Sequence, residues 1–494
     1  MPRVLPARPN LEHLKNEAKD LVAAGKAAKL ADAQRDLARD YGFPSWTKLK
    51  RHVDTLSSDP AKRLVALVRA NDVAGVKALL QSHAELREVL DAQLDGLHFG
   101  GTILGPAVHN QSREMVDTLL DAGADINVRS HWWAGGFSLL ETADPAFAPF
   151  LLDRGAILSI NAAARLDRID DLQRMLREQP ELARSREGDG QTALHVAASP
   201  EIASVLLDAG ADIDALDVDH ESTPAQYAIK DRQDVARFLL SRGARTDILM
   251  ATALGDVERV RAILDADPGA IRTTISNEYF PMSDRRAGGT IYYWTLGGFK
   301  TAHIVARDFH HEHVASLLAE RTPPDFALAV AASGNDAVTI RRLLDGGESV
   351  NTRGVIGATP LHWAIYHRNV ELFHELLRRN PDLEIRDRRY GGTPLDWAMH
   401  DAGEARPPQK EILESMIAKL LDAGAPLPEP RHWSRTRRAT LQVFVLGVQC
   451  GTVALLGAAV QYCPSRASTP PYTLIPSKRF CIRRFSFAAC WLLS

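Results

Sequence analysis

The feature that most limits what this chain can fold into is a short recurrence. A pair of large aliphatic residues stands before Gly-Ala-Asp, or a relative of it, at Leu119–Asn127, Leu151–Ala156, Leu206–Asp214, Leu239–Ala244, Leu343–Asn351 and Leu420–Ala425. Weaker copies stand at Leu79–Leu86, Met175–Leu182, Ile263–Ala270, Leu317–Arg321 and Leu376–Leu383. Counted from the second residue of each pair, the steps are 40, 32, 24, 31, 33, 24, 54, 26, 33 and 44. Four cluster near 32 and three near 25. Self-similarity of this period is the mark of stacked units, each able to bury its apolar face only against its neighbours. The 494 residues would otherwise suggest about three globular domains. The recurrence predicts one repeat array over 61–430 instead.

A second pattern precedes the aliphatic pairs. It reads GQTALHVAA at Gly190–Ala198, GATPLHWAI at Gly357–Ile365 and GGTPLDWAM at Gly391–Met399, with degenerate copies at Glu221–Ile229 and Lys300–Asp308. The two patterns together, at a period near 33, resemble the ankyrin repeat over roughly residues 61–430. The resemblance implies a mainly α solenoid of about ten or eleven irregular helix-turn-helix units with short β-hairpin fingers. Local chemistry agrees. Pro360 suits the first turn of a helix, where its missing N–H costs nothing. Thr359 is placed to cap that helix. The resemblance gives His195 and His362 the structural task of tying neighbouring turns by hydrogen bonds. The Gly of Gly-Ala-Asp supplies the positive φ that ends the second helix. Between Leu152 and Leu176, Leu240 and Leu264, and Leu318 and Leu344 the T-P-L-H segment is missing. Those units are expected to have shortened fingers.

The ends differ from the array. Within 1–58, Asn10, Gly25, Gly42 and Ser45 mark the limits of three short helices with apolar faces at Leu11/Leu14/Ala18/Leu21, Leu30/Ala33/Leu37/Tyr41 and Trp46/Leu49/Val53. The words LPARPNLEHLK and YGFPSW resemble the N-terminal extension of many bacterial ankyrin-repeat proteins, which carries no assigned chemistry. The segment is read as a cap on the open end of the array, with docking or a minor nucleic-acid contact through Lys48, Lys50 and Arg51 as the other reading. Residues 431–494 hold nine Lys/Arg, no Asp or Glu, and all four Cys. An uncharged run there contains a span at 440–461 long enough to cross a bilayer. It reads either as a membrane anchor, holding the body at the cytoplasmic face of the inner membrane, or as an unevolved or out-of-frame tail.

Composition narrows the chemistry. With those nine removed, the first 430 residues carry 50 basic and 62 acidic side chains, net −12. Such a body, lacking any basic block, argues against nucleic acid as the main partner and weakly favours partners with basic patches. A cysteine-free body and the absence of an apolar leader fit the cytoplasm. No phosphate loop, nucleophile elbow, H-E-x-x-H or carboxylate-pair motif appears, so neither enzyme activity nor a cofactor is implied. Phe309–His313 (FHHEH) looks like a metal-ligand run. Its adjacent histidines, however, splay about 100° apart on a helix with no partner at i+4.

One segment departs from the repeat. The 54-residue step holds Ile275–Lys300, with Tyr279, Phe280, Tyr292, Tyr293, Trp294 and Phe299 in a chain only 6% aromatic. TIYYWTL reads as a strand between Gly-Gly turns. With Arg285 and Arg286 the segment has the composition of an interface hot spot, or else its rings brace a long loop. Trp132 and Trp133 lie on another finger and could extend the same face. These ten residues are the candidate partner-binding set of a monomeric protein-binding scaffold.

Overall fold

The computed structural model describes residues 11–24, 27, 29–57 and 59–426. Asn10, the tail from 431 and its apolar span at 440–461 lie outside the described residues. Among the described residues no helix is long and apolar enough to cross a membrane. The described residues divide into two compact units, those up to 246 with 280–295, and 247–279 with 296–426.

The first unit opens with helices Leu11–Ala23, Leu30–Asp40 and Trp46–Ser57. Leu14, Ala18, Ala33, Leu37, Leu49 and Val53 bury together in a core separate from that of the repeats that follow. Gly42, at φ +80°, ends the second helix, and Ser45 accepts the Lys48 amide to start the third. Helix pairs follow: Pro60–Arg69 with Val73–Ser82, Leu104–His109 with Arg113–Asp121, Leu139–Thr142 with Ala148–Asp153, and Ile160–Arg165 with Ile169–Glu178. The next pair combines a single 3-10 turn, Ala193–Val196, with Pro200–Asp208, and Pro224–Ala228 then pairs with Gln233–Ser241.

The second unit continues the same grammar. Ile248–Ala253 pairs with Val257–Ala266, Ala302–Asp308 with Glu312–Arg321, and Pro324–Ser333 with Ala337–Asp345. Pro360–Tyr366 with Val370–Arg378 and Pro394–Glu404 with Gln409–Asp422 complete it.

Each pair follows from local chemistry. Short polar side chains start the helices: Asp72, Ser112, Ser159, Ser199, Asp256, Asp336 and Asn369 each accept a backbone N–H of the first turn, satisfying one of the orphan donors there. Glycine ends them. Gly123, Gly155, Gly210, Gly243, Gly347 and Gly424 all lie at φ between +87° and +106°, where a Cβ is costly. Three units lack a finger: Ser159 caps Ile160 six residues after the helix ending at Asp153, Asp247 caps Ile248 after Ser241, and Pro324 follows Arg321 directly across Thr322 and Pro323. Where fingers exist they are tight loops. The described residues contain no strand, only isolated bridges at Gly136–Gly188, Glu187–Gln191 and Thr274–Thr301.

The T-P-L-H histidines sit at the core of this arrangement. The Thr359 amide donates to His362 Nδ1 at 3.2 Å, so Nε2 carries the proton and donates to the Gly392 carbonyl of the next unit at 3.1 Å. His195 repeats the geometry, with the Thr192 amide at 3.1 Å and the Ser222 carbonyl at 3.1 Å. Both rings are fully buried, and burial pushes both down to a pKa of about 4. In the degenerate copy Thr301–Ile304 the histidine comes one residue early. His303 bonds Thr322 Oγ1 at 2.6 Å instead, and the buried Thr301 hydroxyl has no hydrogen-bond partner.

Candidate interaction surfaces

The long insertion was expected to carry a strand. It does not. Ile275 and the Phe299–Lys300 stretch exchange two backbone hydrogen bonds, of 3.0 and 2.9 Å, which closes a neck. Beyond it TIYYWTL coils: the Tyr293 amide donates to the Thr290 carbonyl at 3.0 Å, the Trp294 and Thr295 amides to that of Ile291, and Tyr293–Gly297 forms one wide helical turn. β-branched and aromatic content favours a strand only where an edge offers pairing, and none of the described elements does.

Residues 280–295 belong to the first unit and are bonded to its finger Asp217–Ser222. The Glu221 carboxylate accepts the Ser283 and Asp284 amides at 2.8 and 3.1 Å and the Ser283 hydroxyl at 2.6 Å. The Asp219 carbonyl accepts the Gly288 amide at 2.8 Å, His220 Nδ1 donates to the Gly289 carbonyl at 2.7 Å, and Ser222 Oγ accepts the Ile291 amide at 3.1 Å. Tyr292 is completely buried, its ring meeting Phe280 edge-on at 5.4 Å. Tyr292 therefore leaves the candidate binding set, because a side chain inside the core cannot meet a partner. Its neighbour two positions on, Trp294, is 59% exposed.

Three further loops of the first unit gather beside this segment. Phe99, 54% exposed, meets Trp132 edge-on at 5.1 Å, and Trp132 meets Trp133 at 6.4 Å. The Arg286 guanidinium lies 4.3 Å over the Trp133 ring while pairing with Asp284 at 2.7 Å. Arg285 is exposed, and Trp132, Trp133, Phe280 and Tyr293 are half-buried. Below the rings, His220 Nε2 is 3.5 Å from Asp219 and 3.9 Å from Asp189. Burial raises both carboxyls, that of Asp189 to about 6, and His220 partly offsets this. The Trp132 indole N–H faces Asp189 without closing a hydrogen bond. This acidic group was not among the residues expected from sequence. Its members come from separate loops, and no spacing signals that they meet.

The second unit has its own aromatic face. Ring contacts run from Phe299 to Tyr390 at 6.1 Å, from Tyr390 to Trp397 at 6.3 Å and from Trp397 to Tyr366 at 6.3 Å. Trp363 lies beneath at 2% exposure, while Tyr366 and Tyr390 are about two-fifths exposed. Tyr279 is 40% exposed, close enough to Glu278, Arg272 and Arg388 to feel their charges. Of this face only Tyr279 and Phe299 were expected. Trp397 sits inside the repeat signature, and Tyr366 and Tyr390 stand directly beside copies of it, so the signature masks them.

In the FHHEH run, His311 Nε2 bonds the Ala253 carbonyl at 3.0 Å. Among the described residues no group of three or more His, Cys, Asp or Glu is placed to hold a metal.

Paired helices, glycine-ended turns and histidines tying one unit to the next define an ankyrin-repeat fold, an interaction module. The ankyrin-repeat family model matches residues 160–250, 302–387 and 326–414. Those segments therefore carry ankyrin repeats. Over 413 residues it is 25% identical to the E3 ubiquitin-protein ligase KEG of Arabidopsis thaliana, covering 78% of this chain and 23% of that protein. Over 77 residues it is 39% identical to the fowlpox virus ankyrin repeat protein FPV031, covering 15% of this chain and 23% of that one. The chain thus spans less than a quarter of the length of the curated relatives it matches. The human ASB11 ankyrin repeat domain is similar at 20% identity over 55% of this chain and 99% of that one, with a TM-score of 0.25.

Proposed function

We propose that the protein is a non-catalytic, monomeric scaffold that binds a partner protein through its ankyrin fingers and the adjoining helices, in a bacterial cytoplasm. The bacterial placement rests on the N-terminal resemblance. The observation that carries the binding reading is where the exposed rings lie. Phe99 and Trp294 in the first unit, and Tyr279, Tyr366 and Tyr390 in the second, stand on fingers, on the long insertion or on the first helices of repeats, and all but Tyr279 are braced edge-on by a neighbouring ring. A preformed aromatic surface costs little entropy to present, and rings of this kind dominate interface energetics. The N-terminal helices are proposed as a cap. Of the expected binding residues, Trp132, Trp133, Tyr279, Phe280, Arg285, Arg286, Tyr293, Trp294 and Phe299 remain proposed contacts.

The test is a cross-linked pull-down with the whole chain beside a Phe99→Ala/Trp294→Ala chain and a Tyr366→Ala/Tyr390→Ala chain. At least one pair of substitutions should remove a captured partner while the melting transition moves by only a degree or two. Point changes are preferable to excising Ile275–Lys300, because that excision would also remove the buried Tyr292. Identical capture by all three chains would contradict the reading.

A further inference from the structure

We infer that the arginine finger of the second unit docks an acidic peptide segment of a partner protein, an inference that rests on the protein-binding reading above. The finger 386–390 reads Arg-Asp-Arg-Arg-Tyr. Its one carboxylate is spent inside the turn. Asp387, 3% exposed, accepts the Tyr390 amide at 2.6 Å, the Gly392 amide at 2.9 Å and the Trp397 indole N–H at 3.0 Å. What the finger shows to solvent is therefore guanidinium.

The three arginines are not equally committed. Arg386 is held by the Gly391 carbonyl at 2.8 Å and Asp396 at 3.4 Å. Arg388 reaches Glu278 at 3.5 Å, with both side chains more than half exposed. An ion pair that wet contributes little, so a partner's carboxylate can replace Glu278 at small cost. The Arg389 guanidinium lies 5.9 Å over the Tyr390 ring. Asp401, whose charge reaches Tyr366, is 3.7 Å from Arg368.

Charge and rings then specify the occupant. Guanidinium forks take carboxylates two hydrogen bonds at a time, and the Tyr390–Trp397–Tyr366 row offers an apolar platform within reach of them. Tyr and Arg side by side, braced by the buried Trp363, are the composition of a binding hot spot. A long polyanion fits worse. Nucleic acid affinity grows with the number of phosphates neutralised, whereas here the finger's three arginines stand on a body carrying net −12 over residues 1–430. A short acidic segment meets the cations without lying along that body.

The experiment pans a displayed library of short random peptides against the full chain, with the Arg388→Glu/Arg389→Glu full chain in parallel. Both arginines are exposed, and melting curves confirm that the variant folds. The expected result is enrichment of peptides rich in Asp and Glu with at least one aromatic or aliphatic residue, absent from the variant. By fluorescence anisotropy the best such peptide should lose affinity about tenfold or more on the double substitution and weaken as salt rises. Enrichment of neutral or basic peptides, equal enrichment on both chains, or no enrichment would overturn the inference. So would tighter binding of a single-stranded oligonucleotide than of the best peptide. If these fail while the Tyr366→Ala/Tyr390→Ala chain still loses a natural partner, protein binding stands and only the acidic chemistry falls.

Discussion

His195 and His362 tie each unit to the next through one neutral imidazole, and that has a cost at low pH. Burial depresses both to about 4, below the ordinary histidine value near 6.5. The unfolded chain therefore binds these protons first. The stability that the buried neutral rings contribute is complete above about pH 6.5 and is lost as pH falls toward 4, on the order of 3 kcal/mol for each ring. Thermal melting should accordingly drop steeply across that window. A His195→Gln/His362→Gln chain should be less stable at pH 7 and fall less steeply in acid. An unchanged acid profile would show that other groups set it. These histidines were readable from sequence because the motif that places them is local: Thr, His and the cap they form lie within four residues. Asp217 was not. Its carboxylate gathers the His220 and Ser222 amides and the Tyr227 hydroxyl at 2.7, 2.8 and 3.0 Å, a turn whose importance shows only once the finger is folded.

Among the elements, the insertion shows where periodicity stops informing. TIYYWTL has strand composition and no edge to join, so it coils instead. Its alternate rings, one fully buried and one largely exposed, could not be told apart by spacing. The Glu221 carboxylate is the main polar clamp on its first half. Replacing Glu221 by Ala should expose the Ser283 and Asp284 amides to rapid hydrogen exchange, read by mass spectrometry over residues 280–287. Protection in the paired helices should hold, because Tyr292 and the Ser222–Ile291 bond remain. Unchanged exchange at Ser283 and Asp284 would mean that the clamp is not what orders this stretch. Helix pairs and their glycine stops, by contrast, were legible almost residue by residue, since caps and left-handed turns depend on side chains within one or two turns.

Across the whole molecule, repeat architecture and charge act at different ranges. Within each unit the repeats supply a core that is mainly aliphatic and alanine-rich, so large rings left exposed stand out against it. Net charge alone favoured basic partners; the finger 386–390 points the other way, because local guanidinium groups outweigh a dilute distant field once a ligand is in contact. The second helices of the pairs in the second unit supply a rival surface. Val338 is 74% exposed on Ala337–Asp345, and Val370, His374, Ile412 and Met416 line an open groove of about 300 Å³. The most direct measurement is therefore site-specific photo-cross-linking in living cells, with the photoreactive residue placed at Trp294, Tyr390 or Val338 of the full chain. Adducts to another protein from position 294 or 390, and none from 338, are the predicted outcome. Adducts from position 338 with positions 294 and 390 both silent would contradict the account and move the binding surface to the second helices of the pairs.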